Sequence, residues 1–449
     1  MKKLISFILV LCMIFSLAAC GAKSPTQPAG TQAPAEKPAP APDAQTGAPA
    51  EGAGTELASP VFPASGTDAD PDMSGLDAFI AATLAPMFSD LNGANRVYSP
   101  LNVYLALAML AEITDGATRS QITALLGQDS LETLRGEVQA LWEASYRYSD
   151  PNTETSAPTI LPAASLWLGD GEDYHADALK ALAEYYYASS FSGPMGSSAY
   201  TQQLRDWINE RTNELLKEQA DGLSLDKDTL LALVTTLYFK ANWSESFDQN
   251  ATADDTFHAA FKDETVPFMH RTDPVLYYRG EKFAAVCLPM NGGCGMWILL
   301  PDEGVSVEEL LAGREAADFL ASPEKSGNCE RRLVKLSIPK FDVDSDLDLC
   351  AMLAKLGVTD VFDPSKSDFK PLTDQNGLAV TDIEHAARVK IDEQGCEAAA
   401  FTAITVKGAA FLPEQEIIEF SCDRPFFFSV TGPADQMLFA GAVNTILGS

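Results

Sequence analysis

The stretch that decides the fold is Glu393-Gln394-Gly395-Cys396-Glu397-Ala398-Ala399-Ala400. It opens a run, 396–407, in which two kinds of residue alternate. A β-strand points successive side chains to opposite faces, so one face of this run would be small or apolar and the other would carry the charges and one bulky ring. The run can therefore serve as an inner strand, although its alanine-rich start is a poor strand former. The first face has Cys396, Ala398, Ala400, Thr402, Ile404 and Val406, and the second has Glu397, Ala399, Phe401, Ala403, Thr405 and Lys407.

The chain before this run is largely helical, and strands become frequent towards it. Ser99-Pro100 places a helix N-cap before a proline suited to the first turn. The nearly all-apolar residues 101–113 that follow predict a helix buried on most sides. Helices first and strands later, without regular βαβ alternation, indicate an α+β domain with antiparallel sheets. The helices are predicted over 76–91, 101–113, 118–126, 176–187 and 203–216, and the strands over 163–168, 233–240, 284–288, 296–300, 332–339, 386–391, 417–422 and 426–430.

The N-terminus predicts export. Lys2 and Lys3 precede a short apolar run, 4–17, which is too short to be an ordinary membrane span and is typical of a cleaved signal peptide. Residues 17–21 resemble a bacterial lipobox, in which Cys20 would become the lipidated first residue. The alternative is an ordinary signal peptide with a chance cysteine at its end. We expect a signal peptide over 1–19, a disordered Ala/Pro/Gly-rich linker over 20–72, and one folded domain over 73–449.

The composition excludes several classes of partner. The 449 residues include 63 acidic and 31 basic ones, giving a formal net charge of −32. Binding to nucleic acid needs a basic face, and electrostatic binding to an anionic membrane surface needs basic clusters. We therefore expect no nucleic-acid partner and membrane attachment only through the lipid at Cys20. Hydrophobic residues make up 46% of the chain, enough for a sizeable core.

The sequence also lacks signatures of catalysis and metal binding. It has four histidines, no H-E-x-x-H or G-x-S-x-G motif, and no C-x-x-C pair. We predict no enzyme activity, no cofactor and no metal site. Cys287 and Cys294 are close enough in sequence for pairing to stay open. A lipid-anchored solute-binding protein would also carry such an N-terminus, but it predicts βαβ alternation, which the second half lacks.

Four stretches, in order and at matching spacing, resemble the serpin family, and the resemblance covers essentially the whole folded region. Residues 95–100 are similar to the family's helix entry, and 237–243 to a central strand with the tryptophan-bearing turn after it. Phe257 with 266–269 is similar to the next hairpin, and 385–426 contains the hinge, the loop and the Arg-Pro-Phe that follows. The resemblance implies an α+β serpin fold with a large central sheet A, two further sheets, about eight or nine helices and an exposed reactive-centre loop.

The resemblance also implies residue roles. Cys396 stands where the family usually has Thr or Ser, while Asn102 and Thr235 stand where Ser and Asn are expected. Because this exchange keeps one amide and one hydroxyl, we expect a polar network with His385 to persist. The implied hinge is Glu393, Gly395, Cys396, Glu397, Ala398, Ala399 and Ala400, and the implied shutter and breach under the opening sheet are Ser99, Asn102, Thr235, Trp243 and His385.

The reactive bond follows from the same resemblance. Counting about fourteen residues on from Gly395 places it at Ala409-Ala410, and Pro413 then lies where many serpins also carry proline. The bonds Gly408-Ala409 and Ala410-Phe411 remain alternatives. A small residue before the bond suits proteases with a small specificity pocket, elastase-like or subtilisin-like.

The implied function is suicide inhibition of serine-type endopeptidases. A protease would form its acyl-enzyme on the loop, and the cut strand would insert into sheet A. The expected partners are serine proteases in a covalent acyl complex, with cysteine proteases as a further class, and the protein is expected to be a monomer. Its expected location is the cell surface of a bacterium. A non-inhibitory serpin acting as a surface binding protein is the alternative, although none of the departures from the family's pattern resembles the charged or proline-rich hinges expected of such members.

Overall fold

A computed structural model of the chain describes residues 52–62, 71–148, 157–227, 229–321, 323, 327–381, 383–396 and 416–448. The helices lie mainly before residue 225, where the sequence predicts most of them. They are α1 (Ser74–Met87), α2 (Pro100–Glu112), α3 (Gly116–Leu125), α4 (Leu131–Ser145), α5 (Ala176–Tyr185), α6 (Ser198–Arg211), α7 (Lys217–Gly222), α8 (Val307–Ala312), α9 (Arg314–Ala321) and α10 (Cys350–Lys355). None of the described helices is long and apolar enough to cross a membrane.

The strands become dense after residue 230. They are β1 (Thr55–Ala58), β2 (Arg96–Tyr98), β3 (Thr159–Gly169), β4 (Ala188–Gly193), β5 (Leu231–Asn242), β6 (Ala253–His258), β7 (Asp263–Arg279), β8 (Phe283–Pro289), β9 (Gly295–Pro301), β10 (Cys329–Pro339), β11 (Phe341–Asp348), β12 (Glu384–Ile391), β13 (Gly395–Cys396), β14 (Ile418–Ser421), β15 (Phe426–Thr431) and β16 (Met437–Val443).

The seven-stranded sheet has the order β1-β4-β3-β5-β13-β12-β11. All of its neighbours pair antiparallel except β3 and β4, which are parallel. Because β13 is antiparallel to both β5 and β12, those two strands run parallel to each other on either side of it. This sheet is the large central sheet that the sequence predicts.

The nine-stranded sheet has the order β14-β10-β7-β8-β9-β15-β16-β2, with β6 added on β7. We expected two further sheets, and hydrogen bonds join them into one here. The cause is β7, which is 17 residues long and pairs in succession with β6, β10 and β8. A strand of that length can belong to both parts at once.

Helix α2 lies beneath the seven-stranded sheet and is buried along almost its whole length, as its apolar sequence predicts. The side chain of Ser99 accepts a hydrogen bond from the backbone N–H of Asn102, and Pro100 occupies the first turn. These contacts confirm the predicted N-cap. A capped, rigid α2 places Ser99 and Asn102 directly under β5 and β12.

The opposite face of the seven-stranded sheet packs against α6. Alternate residues of β3 divide between the two faces, because Leu166 and Leu168 join the main core while Trp167 joins a second cluster with Tyr200 and Trp207 of α6. The sheet is therefore covered on both sides near its centre. The second cluster also contacts Val234 of β5 and Ala386 of β12.

Residues 52–62, which we call the strap, correct part of the predicted linker. We expected 20–72 to be disordered, yet Thr55–Ala58 form β1 and extend the sheet edge at β4. The backbone N–H of Gly54 donates to Gln203, and that of Val61 donates to the carbonyl of Ala183. Strand addition satisfies the backbone without a core of its own, so composition alone does not reveal it.

The end of the strap joins an aromatic cluster formed by Trp142 of α4 and Tyr187, which follows α5. The ring of Phe62 lies 5.3 Å from Trp142 and 5.9 Å from Tyr187, centroid to centroid. Rings at such distances attract each other beyond the area they bury. Cys20 and the remainder of the predicted signal peptide and linker, apart from 71–72, lie outside the described residues.

Candidate site at the opening of the seven-stranded sheet

The short strand β13 enters the sheet between β5 and β12. Gly395 lies opposite Asn242, while Cys396 lies opposite Ala241 on one side and Ile391 on the other. A side chain on Gly395 would collide with the backbone carbonyl of Ala241, so this position requires glycine. Cys396 is buried and packs in the main core. The sequence predicts both residues to be part of the hinge, and the structure places them between β5 and β12.

The space below β13 is bounded by β5 and β12. Among the described residues, only Gly395 and Cys396 lie between these two strands, and no ladder joins β5 directly to β12. Residues 231–235 of β5 are partly exposed, whereas 236–239 are buried. We call the space between β5 and β12 below Cys396 the gap. At the level of β13, the two strands are one strand apart, because β13 pairs with both of them.

The first cluster under the gap joins Ser99 to His385. The backbone N–H of Ser99 donates to Nε2 of His385 over 2.9 Å, and the Ser99 hydroxyl donates to the carbonyl of Leu438 over 2.6 Å. His385 is buried, and burial lowers the pKa of its imidazole to about 4. The ring is therefore neutral at pH 7, which lets Nε2 accept a hydrogen bond.

The same cluster contains Asn102 and Thr235. The Asn102 amide nitrogen donates to the backbone carbonyl of Thr235 over 3.2 Å, and the Thr235 hydroxyl donates to the backbone carbonyl of Asn102 over 3.3 Å. The side-chain oxygen of Asn102 is buried and has no hydrogen-bond partner among the described residues. Each of these side chains bonds to the backbone carbonyl of the other residue and not to its side chain. His385 accepts from the backbone of Ser99, so the expected network that joins it to Asn102 and Thr235 is not formed directly.

The second cluster lies at the top of the gap. The Trp243 indole N–H donates to the carbonyl of Asp392 over 2.9 Å, and the Trp243 backbone N–H donates to the carbonyl of Gln394 over 2.8 Å. The Asp392 carboxylate accepts from the backbone N–H groups of Gln394 and Gly395. Trp243 therefore holds the turn that leads into β13. The predicted shutter and breach residues thus fall into two separate clusters.

Glu393 belongs to this second cluster and is buried. Its carboxylate accepts from the ammonium of Lys340 and the hydroxyl of Thr252, each over 2.9 Å. Burial raises its pKa, but the bonds from Lys340 and Thr252 outweigh it, and the pKa lies below its ordinary value. Lys340 and Thr252 are not predictable from the sequence, because nothing in it places them beside Glu393.

Asn95 explains another part of the motif at residues 95–100. Its side-chain oxygen accepts from the backbone N–H groups of Asn444 and Thr445, and its amide nitrogen donates to the carbonyl of Thr445. The asparagine therefore ties the chain before α2 to the C-terminal segment. The sequence alone does not indicate this role of Asn95.

Several predicted residues lie outside the described part of the chain. They are Glu397, Ala398, Ala399 and Ala400 of the hinge, and Ala409 and Ala410 of the reactive bond. Among the described residues, no cluster of His, Cys, Asp or Glu could hold a metal ion. Cys294 is buried and forms no disulfide with any described residue, so the Cys287–Cys294 pairing left open above is not made.

His385 predicts a pH dependence. Its folded pKa of about 4 lies below the ordinary value of 6.5, so between these pH values the unfolded chain binds the proton more readily. Acidification from pH 6.5 to pH 4 should therefore cost the folded state about 3 kcal/mol through this residue. His385→Gln keeps an acceptor for Ser99 without titrating. Urea unfolding at both pH values should show a loss smaller by about this amount in the variant, and equal losses would contradict the assignment.

Comparisons with known proteins agree with this architecture. The family model described as Serpin (serine protease inhibitor) matches residues 77–446. A leukocyte elastase inhibitor of Equus caballus is 32% identical over 371 residues, which cover 80% of this chain and 94% of that protein.

Solved structures share the fold. The thermophilic serpin tengpin in its native state has a TM-score of 0.76 and 25% identity, covering 88% of this chain and 100% of that one. Human thyroxine-binding globulin in complex with its ligand has a TM-score of 0.72 and 24% identity, covering 83% of this chain and 98% of that one. At that identity the second likeness concerns the fold alone.

Proposed function

Since this chain belongs to the serpin family, we propose that it inhibits serine-type endopeptidases as a suicide substrate. The target protease attacks the carbonyl of Ala409 with its serine oxygen, the bond to Ala410 breaks, and the new amine leaves with the downstream chain. The acyl-enzyme then remains attached to the segment that starts at Cys396. Insertion of that segment into the gap carries the protease along and distorts its active site.

The observation that carries this proposal is the gap. The strand β13 begins between β5 and β12 and is antiparallel to both of them. A longer strand in the same direction could therefore pair with β5 on one side and with β12 on the other. Cys396 occupies the core face, so the small and apolar residues that alternate with it in sequence would follow onto that face. The alternation in the sequence and the geometry of β13 therefore agree.

The energy available from insertion is large. Each new ladder bond contributes about 0.5–1.5 kcal/mol net, and apolar burial adds to it. About ten residues inserting between two strands would thus supply on the order of 10 kcal/mol. That is comparable to the whole stability of an ordinary domain, and it is enough to disrupt a bound active site.

The proposed target class follows from the residue before the reactive bond. Ala409 suits a small or shallow specificity pocket, whereas a trypsin-like enzyme would require Arg or Lys there. The Equus caballus relative is a leukocyte elastase inhibitor, which supports an elastase-like target. We extend the proposal to subtilisin-like enzymes, because a small residue before the reactive bond suits their specificity pocket as well.

The first experiment mixes the chain from residue 52 onward with pancreatic elastase or subtilisin and resolves the products in boiling detergent. The proposal requires a covalent complex and a released peptide that begins at Ala410. Cleavage without a complex, and without a gain in heat stability, would favour the alternative of a non-inhibitory surface binding protein.

A matched pair of hinge variants makes a sharper prediction. Ala398 would face the core after insertion and Ala399 the opposite side, because Cys396 faces the core. A buried, unpaired carboxylate costs several kcal/mol, so Ala398→Glu should block insertion and turn the inhibitor into a substrate. Ala399→Glu should still trap the protease. The measurement is the number of inhibitor molecules consumed per protease, expected to rise about tenfold or more only in Ala398→Glu. Equal behaviour of the two variants would contradict the predicted faces.

We also propose that the protein is held at the bacterial cell surface by a lipid on Cys20, on the strength of its lipobox-like sequence. Attachment would then depend on the thiol alone. Expression of Cys20→Ser should release the protein from the membrane fraction into the medium. Retention of the variant in the membrane fraction would contradict a lipid anchor at this residue.

A further inference from the structure

The two ladders of β13 fix where the next residues of the chain would lie if the strand continued. Cys396 is opposite Ala241 in β5 and Ile391 in β12. One step further along both antiparallel ladders, the next residue would lie between Lys240 and Lys390. That residue is Glu397. This count deepens the function proposed above and rests on it.

The side chains of Lys240 and Lys390 belong to the outer face of the sheet. Phe239 and Ala241, their neighbours in β5, are core residues, and so are Val389 and Ile391 in β12. Alternation therefore turns both lysines outward. Glu397, next to the core-facing Cys396, would point to the same outer face. The three side chains would form one row across the sheet.

The two lysines lie on opposite sides of the gap, and no described residue pairs between them at their level. Strands that are two places apart in a sheet lie roughly 10 Å apart, close enough for like charges to repel. The ladder places Asp342 of β11 opposite Lys390, but both of its carboxylate oxygens bond to Arg388 at 2.9 Å. Neither lysine makes an ion pair with any described residue. A carboxylate between them would be attracted from both sides.

We propose that Lys240 and Lys390 form a carboxylate slot for Glu397, so that the first step of strand insertion is driven by charge. With Glu397 in place the row would read Lys240, Glu397, Lys390 and Asp342, with alternating charge across four strands. Replacing either lysine removes one attraction, and replacing Glu397 restores the repulsion between the lysines.

The effect should be confined to the first step. Glu397 is the sole carboxylate in residues 397–407. The next outward residues, Ala399 and Phe401, are uncharged. If the strand continued in the same register, Phe401 would lie beside Ala386, which packs with the apolar cluster under α6. Charge would therefore guide entry, and apolar burial would govern the later steps.

The test uses a synthetic peptide with the sequence of 397–407 added to the intact chain from residue 52 onward. The rate of annealing is measured by native gel electrophoresis at low ionic strength. It is compared with the rate for a second peptide that carries Glu397→Gln. Loss of two exposed ion pairs should slow annealing about fivefold. The difference should vanish in 1 M NaCl, where the Debye length is about 3 Å.

The double variant Lys240→Gln with Lys390→Gln should bind the two peptides at equal rates. Lys355→Gln, an exposed lysine on α10 far from the gap in sequence, is the matched control and should keep the fivefold difference. The slot would be overturned if both peptides annealed to the unsubstituted protein at equal rates. It would also be overturned if the fivefold difference between the peptides persisted on the double variant. Neither result would contradict strand insertion itself. If neither peptide anneals, and cleavage of the protein brings no gain in heat stability, the proposed function falls together with the slot.

Discussion

Two parallel strands, β5 and β12, separated by the width of one strand, are the constraint on which the rest of this molecule depends. Parallel neighbours at that spacing can be joined by one antiparallel strand, and β13 begins such a strand with only two described residues. The segment that follows β13 in sequence has the alternation that an inner strand needs. In the proposed function, the segment after β13 would occupy the space between β5 and β12.

The contacts beneath the gap explain how its two sides are held in register. Helix α2 touches one side through Asn102 and Thr235 and the other through Ser99 and His385. Because burial keeps His385 neutral, the link is a hydrogen bond between neutral groups rather than an ion pair. Above them, Trp243 and the Glu393–Lys340 pair hold the turn into β13.

Local signals in the sequence predicted the parts that depend on local chemistry. The capped start of α2 at Ser99-Pro100 needed no knowledge of distant residues. The strand inferred from the alternation after Gly395 stays a prediction beyond Cys396, because residues 397–407 lie outside the described part of the chain. Contacts between distant residues were not predictable. Lys340 lies 53 positions from Glu393, and nothing in a run of alanine, proline and glycine distinguishes Thr55–Ala58 as a strand that needs the edge of β4. The joining of two sheets by β7 likewise depends on tertiary register.

Hydrogen–deuterium exchange of the intact and loop-cleaved chain tests the central claim most directly. Insertion would give the backbone amides of 231–235 in β5 and 385–389 in β12 a new strand to pair with. Exchange in both stretches should therefore slow markedly after cleavage, while that of α2, which already lies in the core, stays the same. Unchanged protection of β5 and β12 in the cleaved chain would contradict insertion between them.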